Sequence, residues 1–422
     1  LHDALPISLN TLQTRRCAHP APRTPRTLAT GLLAAFFLAN TLTTVFAAPR
    51  TPASDAEVVE RLPMRPGDTT ARELYALRAA VAARPDDPAP AVALAQRYFD
   101  LAAERGDPRY VGYAEALVNR FAQRMDAPLL LVRGMVRQYR HDFAEALADF
   151  AGALKIDPEL AGAHAWRGAI YLVQANYAAA EQECAALQRL GRPVLRGGCA
   201  GLAQAYTGQL GSAYTTLQQA LASAADDNQR LWLHTRLGEV ASWQGQATTA
   251  EQHFRKALSL GVDDGYLLAA WTDFLLDQRR YEQVIKQLAK WESNDGLLLR
   301  LTLAEAQLQL PAAAAHTQTL ADRFAAAKLR GDSTHQAEEA RFHLQLRNDA
   351  KESLRLAVEN FGVQKEPRDA RVVLEAAIAA RNPAAAAAVL DWLQTSRFEG
   401  RVLRELAHQL KAQAPGSQGG AQ

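Results

Sequence analysis

Apolar residues recur at helical spacing along most of the chain. In the stretch 142–158, DFAEALADFAGALKIDP, Ala146, Phe150 and Ala153 share one face of a predicted helix that Pro158 ends. Small residues on that face allow a second helix backbone to approach closely, and the phenylalanine ring fills the space that remains. The pattern therefore predicts paired helices in close contact.

The same arrangement of small and large positions returns along the chain. Four positions separated by steps of 12, 4 and 3 residues occur four times, and the second copy follows the first by 34 residues. The copies are Gly134, Ala146, Phe150, Ala153; Gly168, Ala180, Cys184, Leu187; Gly238, Ala250, Phe254, Ala257; and Thr272, Val284, Leu288, Trp291. A fixed period of this length indicates stacked structural repeats.

These residues resemble the tetratricopeptide repeat (TPR), a helix–turn–helix unit of about 34 residues. The match is good at 127–160, 161–194 and 231–264, and fair at 265–298, with a shorter variant at 201–221. The resemblance implies an all-α fold, a right-handed α-solenoid of stacked helix–turn–helix repeats with atypical terminal capping units.

The extent of the repeat pattern predicts how the chain is organised. Ser333-x-x-Gln336 and Asp349-x-x-Glu352 are typical of capping boxes that open two helices after the main array. We expect artefactual first residues plus a signal peptide in 1–48, a linker in 49–68, N-terminal capping helices with one divergent repeat in 69–126, the repeat array in 127–298, divergent repeats and a C-terminal cap in 299–413, and a disordered tail in 414–422.

The first 48 residues have the composition of an export signal. LHDALPIS at 1–8 resembles translated sequencing-adapter read-through, so it is left out of the fold prediction. A basic stretch then precedes the apolar run 28–48, whose final small residues are typical of a cleavage site. We therefore expect a periplasmic or otherwise exported protein. An uncleaved inner-membrane anchor is the alternative, since the run is about long enough to span a bilayer.

The charge balance argues against nucleic acid as the main partner. The chain has 47 lysines and arginines against 45 aspartates and glutamates, and four of the arginines lie in the first 47 residues. A near-neutral body lacks the basic surface that phosphate backbones require. A protein or peptide partner is expected instead, with membrane contact only through an uncleaved N-terminal segment. The sequence does not determine the oligomeric state.

Export gives the two cysteines after the apolar run a possible structural role. Cys184 and Cys199 are 15 positions apart. In an oxidising compartment they could form a disulfide, and a bridge closing a loop of that length stabilises a fold by about 3 kcal/mol. Two separate buried thiols are an equally good interpretation.

The chain carries no recognised catalytic motif, and no cofactor is expected. The best metal-like set is His335, Glu339 and His343, whose steps of four residues place them on one face of a helix. Two imidazoles and a carboxylate could hold zinc. A solvated polar face, in which neighbouring charges pair along the helix, is the alternative that we favour.

The resemblance also implies a concave groove formed by the first helix of each repeat. Its expected wall is rich in aromatic rings and poor in lysine and arginine, which favours a partner segment anchored by rings. The alternative places half of these rings in the seams between helices; Tyr206 and Trp243 are the strongest groove candidates. The expected wall consists of Met135, Tyr139, Leu172, Tyr206, Trp232, Glu239, Trp243, Tyr266 and Asp273.

Together these observations predict a non-enzymatic scaffold in the bacterial cell envelope that binds a protein partner in an aromatic-lined groove. A metal-dependent activity at the His/Glu/His face and a membrane-tethered periplasmic repeat domain are the two alternative hypotheses.

Overall fold

The computed structural model describes Ser54 and residues 67–332 and 334–413. The predicted signal peptide, most of the linker, Ser333 and the C-terminal tail lie outside the described residues. The chain divides within its first helix into two compact units, one of them Asn10–Ala76 and the other containing Leu77–Gln422. Of the smaller unit, the structure describes Ser54 and the residues from 67 onward, which include the beginning of the first helix.

Helices account for all the regular structure of the described residues. None of these helices is both long enough and apolar enough to cross a membrane. The α-helices are α1 (Thr69–Ala83), α2 (Pro88–Arg105), α3 (Arg109–Asn119), α4 (Ala127–Tyr139), α5 (Phe143–Ile156), α6 (Ala161–Val173), α7 (Tyr177–Arg189), α8 (Pro193–Tyr206), α9 (Leu210–Ala222), α10 (Asp227–Trp243), α11 (Ala247–Leu258), α12 (Gly265–Asp277), α13 (Tyr281–Leu288), α14 (Asp295–Gln307), α15 (Ala312–Leu329), α16 (Gln336–Gln345), α17 (Ala350–Val363), α18 (Pro367–Ala379), α19 (Ala387–Ser396) and α20 (Arg401–Ala412).

Successive helices pack as hairpins, and the hairpins stack on one another. The predicted repeats correspond to α4–α5, α6–α7, α10–α11 and α12–α13, and each pair contacts the next along the chain. The stretch 201–221, predicted as a shortened repeat, belongs to a complete pair, α8–α9, because its first helix already begins at Pro193. The prediction of an all-α solenoid of stacked helix–turn–helix repeats is confirmed.

The seams between paired helices follow the small-and-large pattern of the sequence. A Cβ atom on Gly134 would lie 2.4 Å from the ring of Phe150, and one on Gly238 would lie 2.8 Å from the ring of Phe254. Both rings are fully buried, at 0% and 1% exposure. Glycine is therefore required for the close approach of α4 to α5 and of α10 to α11.

The turns inside the hairpins share a backbone geometry that the sequence pattern does not reveal. One residue in each turn has a positive φ, although only glycine adopts this region without steric cost. These residues, from α4–α5 to α14–α15, are His141, Ala175, Gly208, Gly245, Arg279 and Gln309, with φ between 55° and 77°. Tertiary packing thus imposes the turn even where glycine is missing.

The C-terminal helices return to the inner side of the array. Asp349 accepts a hydrogen bond from the Glu352 N–H at 3.1 Å and so caps α17 as predicted, but the capping box is not completed, because the Asp349 N–H donates to the His343 carbonyl and Glu352 pairs with Arg355. After α17 the chain runs back against helices far away in sequence: the Trp392 indole donates to the Tyr177 hydroxyl at 2.8 Å, and the Leu210 N–H donates to Glu399 at 3.0 Å. The C-terminal region therefore does more than cap the end of the solenoid.

Candidate functional site

Three consecutive residues between α17 and α18 lie across the inner ends of three repeats. Gln364, Lys365 and Glu366 are called the inner connector below. The Gln364 amide nitrogen lies 3.2 Å from a ring nitrogen of His141, just after α4. The Lys365 N–H donates to the Val173 carbonyl at the end of α6, at 2.7 Å. Each of these two residues thus contacts a different repeat.

The third contact of the inner connector is a carboxylate against a tyrosine. The Tyr206 hydroxyl, at the end of α8, donates to Glu366 Oε1 at 3.3 Å. Glu366 also forms a 3.0 Å ion pair with Arg368. Burial favours the neutral acid, yet Arg368 and Arg236 together hold the pKa of Glu366 below its usual value. Glu366 is therefore a buried, charged residue beside the end of α8.

The local sequence explains why the inner connector is extended. Gln364 has φ −125° and ψ 122°, and Glu366 has φ −96° and ψ 158°, both in the extended region. Pro367 excludes helical geometry at the residue before it and opens α18 at its first position. The chain can therefore leave α17, cross the array as a short extended segment and re-enter a helix.

A second part of the C-terminal region contacts the aromatic residues of the array. The ring of Trp243 lies 5.6 Å from that of Phe398 and 6.0 Å from that of Tyr206, measured between centroids. Glu399, the next residue, accepts the hydrogen bond from the first N–H of α9. The two strongest groove candidates of the sequence are thus in contact with the protein's own C-terminal segment.

Arginines from the C-terminal helices pair with aspartates on the inner side of α12. Asp273 is held by Arg300 and by Arg341, each at 2.6 Å. Asp277 forms a two-armed pair with Arg371, with both distances at 2.8 Å. Despite burial, the two guanidinium groups lower the pKa of Asp273 strongly. The wall is therefore basic in part, and α14, α16 and α18 supply the arginines rather than the expected groove positions.

Tyr266 and Glu239, both predicted wall residues, share a compact cluster with Arg236. The Tyr266 hydroxyl donates to Glu239 and accepts from Arg236. The Arg236 guanidinium also lies 4.3 Å from the centroid of the Tyr266 ring. Burial raises the pKa of Tyr266 well above its usual value, so the hydroxyl stays a donor at any physiological pH. This cluster forms the floor beside Glu366.

Three of the nine predicted wall residues lie in seams instead. Met135, Leu172 and Trp232 are 1%, 4% and 5% exposed. The Trp232 ring occupies the space above Gly198, where any Cβ would overlap it. Their place in the groove is corrected to the core, as the alternative interpretation of the rings had anticipated. Tyr139 packs edge-on against Phe99 and also lines a cavity with His141 and Gln364. The other five line a cavity together with residues of the C-terminal region.

The predicted metal candidates do not converge. His335 precedes α16 and lines a cavity together with Glu338, whereas His343 lies 4.0 Å from Glu339 further along the helix. Burial raises the pKa of Glu339, and the nearby His343 opposes this effect. In 67–332 and 334–413, no group of three potential ligating side chains is arranged to hold a metal ion.

The two cysteines are joined. Cys184 on α7 and Cys199 on α8 form a disulfide with a Cα–Cα distance of 5.6 Å. Of the two interpretations that the sequence allowed, the structure has the bridged one. It connects the second helix of one repeat to the first helix of the next.

Comparison with known proteins adds little to this description. No protein-family model matches the chain, and no curated protein matches it in sequence. Among solved structures, the APC/C hetero-tetramer Cut9–Hcn1 is 13% identical with a TM-score of 0.28, over 81% of this chain and 52% of that one. The TPR domain of P58(IPK) is 15% identical with a TM-score of 0.21, over 83% and 94% of the two chains.

The chain thus spans about half the length of the Cut9–Hcn1 chain that it matches. With TM-scores this low, neither likeness bears on function.

Proposed function

We propose that this protein is a non-enzymatic scaffold that binds an extended segment of a partner protein on its concave face. The inner connector supports this proposal, because its three residues show how the array holds an extended chain. Each residue contacts a different repeat, through the ends of α4, α6 and α8. Backbone hydrogen bonds with adjacent side-chain contacts are a general mode of peptide recognition.

The partner segment takes the place of the inner connector and carries an acidic side chain where Glu366 now lies. That side chain would accept from the Tyr206 hydroxyl and lie near Arg236, one of the groups that stabilise the Glu366 charge. The inner connector occupies this place, so partner binding requires its displacement. Its own contacts are one backbone hydrogen bond and a few side-chain contacts, but α17 and α18 on either side are packed in the core, so displacement also moves these helices.

We further propose that the scaffold works in the bacterial cell envelope. The apolar run 28–48 supports export, and the disulfide between Cys184 and Cys199 fits an oxidising compartment. If the run is not cleaved, the same repeat domain is tethered to the inner membrane and faces outward. N-terminal sequencing of the mature protein separates the two forms, since an intact Leu28 means that no cleavage occurred.

A variant of Lys365 tests the proposed binding face. Lys365→Pro removes the N–H that donates to the Val173 carbonyl, which weakens the contacts of the inner connector. Lys365→Ala keeps this N–H and serves as the matched control. After photo-cross-linking in envelope extract, we expect the proline variant to capture several-fold more of a discrete partner than either the control or the wild type. Mass spectrometry should map the cross-links to α4, α6 and α8.

Equal capture by both variants, or cross-links confined to other helices, would contradict partner binding at the concave face. Thermal unfolding of the two variants must be compared in parallel. A proline variant that captures many proteins and has lost its cooperative unfolding would count against the proposal too, because it would report exposed core and not an opened groove.

A further inference from the structure

Two cavities adjoin inside the larger unit, on either side of the N-terminus of α18. One, of about 180 Å³, lies between α10 and α12 and the C-terminal helices; the other, of about 200 Å³, lies between α2, α12, α14 and α16. The two share a stretch of wall that includes Tyr266, Arg300, Glu338, Arg368 and Asp369. We call the two cavities together the lumen.

The shared wall has two carboxylates whose neighbouring arginines are paired elsewhere. Arg368 forms its ion pair with Glu366, and Arg300 forms its pair with Asp273 while also donating to a backbone carbonyl. Among the described residues, Glu338 and Asp369 form no ion pair and no hydrogen bond with another side chain, although the charges of His335, Arg300 and Arg368 lower the pKa of Glu338. Both line both cavities. A ligand in the lumen would therefore meet two carboxylates that have no ion-pair partner.

Two buried acceptor atoms in the same place lack a donor. Asp369 is 3% exposed, and its Oδ2 has no hydrogen-bond partner. Gln364 is 5% exposed, and its Oε1 also has none, because only its amide nitrogen contacts His141. Buried acceptors without donors are costly and rare in native proteins. A ligand that satisfies these two acceptors donates hydrogen bonds, although Arg300 Nε in the same wall is a buried donor that also has no partner.

We propose that the lumen binds a small aliphatic diammonium compound, with Glu338 and Asp369 as its counter-charges and the Gln364 carbonyl as an additional acceptor. An ammonium group supplies three donors and one positive charge, so a diamine meets both deficits. A cavity of about 200 Å³ has room for a compound of a few carbon atoms. A metal ion fits less well, since no set of three ligating side chains converges in the described part of the chain.

The titration of Asp369 gives this site a pH dependence. Burial raises the pKa of Asp369 to about 7, with the neighbouring carboxylates Glu366 and Glu338 adding to the effect of burial and Arg368 opposing it. Burial raises the pKa of Glu338, but the charges of His335, Arg300 and Arg368 together hold it below the usual value, so Glu338 keeps its charge. Below neutral pH the lumen therefore loses one of its two negative charges.

The experiment is isothermal titration of the untagged full-length protein with putrescine at pH 8. We expect one binding site, at least tenfold weaker binding at pH 5.5, at least tenfold weaker binding of butylamine at pH 8, and no heat from 1,4-butanediol. Asp369→Asn and Glu338→Gln should each weaken putrescine binding at least tenfold. Glu282→Gln, an exposed α13 residue outside both cavities, makes the same charge change and should leave it unaltered.

No putrescine binding at pH 8, or equal binding by wild type and by Asp369→Asn, would overturn the proposal. If butylamine bound as tightly as putrescine, a second ammonium group would not be required, and the proposal would be wrong. If Glu282→Gln weakened binding as much as the lumen variants do, the effect would come from the net charge of the protein and not from the lumen. Thermal unfolding without ligand shows whether each lumen variant still folds; conclusions are drawn from those that do. The assay contains no protein partner, so its result is independent of the scaffold proposal.

Discussion

The seams of the array and the lumen are both buried, but different forces stabilise them. In the seams, glycine faces phenylalanine at short range, and the contact of Phe150 with Gly134 involves no charged group. In the lumen, Asp273 lies between two arginines, and Glu366 lies between a tyrosine and Arg368. Packing and the hydrophobic effect dominate the first region, and electrostatics dominates the second.

The two regions also differ in how far apart their partners are in sequence. Gly134 and Phe150 belong to one hairpin, 16 positions apart. The lumen pairs Asp273–Arg341, Asp277–Arg371 and Tyr206–Glu366 are 68, 94 and 160 positions apart. A repeat pattern can therefore reveal the seams, whereas the lumen depends on how the whole unit folds back on itself.

The largest effect is expected from emptying a seam. Phe254→Ala leaves a cavity beside Gly238 in a fully buried site, so we expect a loss of about 3–5 kcal/mol in the free energy of unfolding. Urea denaturation measures this loss. Ile156→Ala, at a residue that is 58% exposed, should change it by less than about 0.5 kcal/mol. A loss below about 1 kcal/mol for Phe254→Ala would mean that the seams are not tightly packed.

A smaller loss of stability, which depends on pH, is expected in the lumen. Asp273→Asn leaves Arg300 and Arg341 without their shared counter-charge, and we expect a loss of about 2 kcal/mol at pH 7, reduced because Asp273 keeps 31% exposure. The folded state lowers the pKa of Asp273, so the ion pairs contribute fully above the unfolded value of about 3.9. They are lost as the pH falls towards the lower folded value.

The difference between wild type and Asp273→Asn should therefore shrink below about pH 4, whereas the effect of Phe254→Ala should persist there. Urea denaturation at pH 7 and at pH 3 compares the two variants directly. A constant difference for Asp273→Asn would show that shape, and not charge, is what the aspartate contributes.

The smallest expected effect is a gain in stability, in contrast to the two losses above. The pKa of Asp369 is raised to about 7 in the folded state, so between about pH 4 and pH 7 the folded protein binds more protons than the unfolded chain. Wild-type stability from this group therefore falls as the pH rises through that range. Without ligand, we expect Asp369→Asn to melt about 2–4 °C higher than wild type at pH 8, with a smaller gain at pH 5.

Differential scanning calorimetry at the two pH values checks this expectation. Glu282→Gln should show no such pH-dependent gain, because its carboxylate is exposed on α13. A melting temperature of Asp369→Asn below that of wild type at pH 8 would mean that the ionised carboxylate already has a partner in the lumen.

The sequence by itself determined the helices, their pairing and the residues of the seams. Gly134 with Phe150 and Gly238 with Phe254 could be read from spacing alone, because partners within one hairpin keep a fixed offset and close approach needs small residues. The N-cap at Asp349 is local for the same reason. The two cysteines were recognised as a possible pair, but spacing could not decide whether they are joined.

Only the tertiary structure decided what covers the predicted wall residues. Tyr206 and Trp243 contact Glu366 and Phe398, which come more than 150 positions after them, in segments that connect the C-terminal helices. No periodicity links a groove residue to such a partner, and the arginines that pair with Asp273 and Asp277 lie outside the expected wall. The charge of the lumen depends on these long-range pairs, so it is set by the folded chain as a whole.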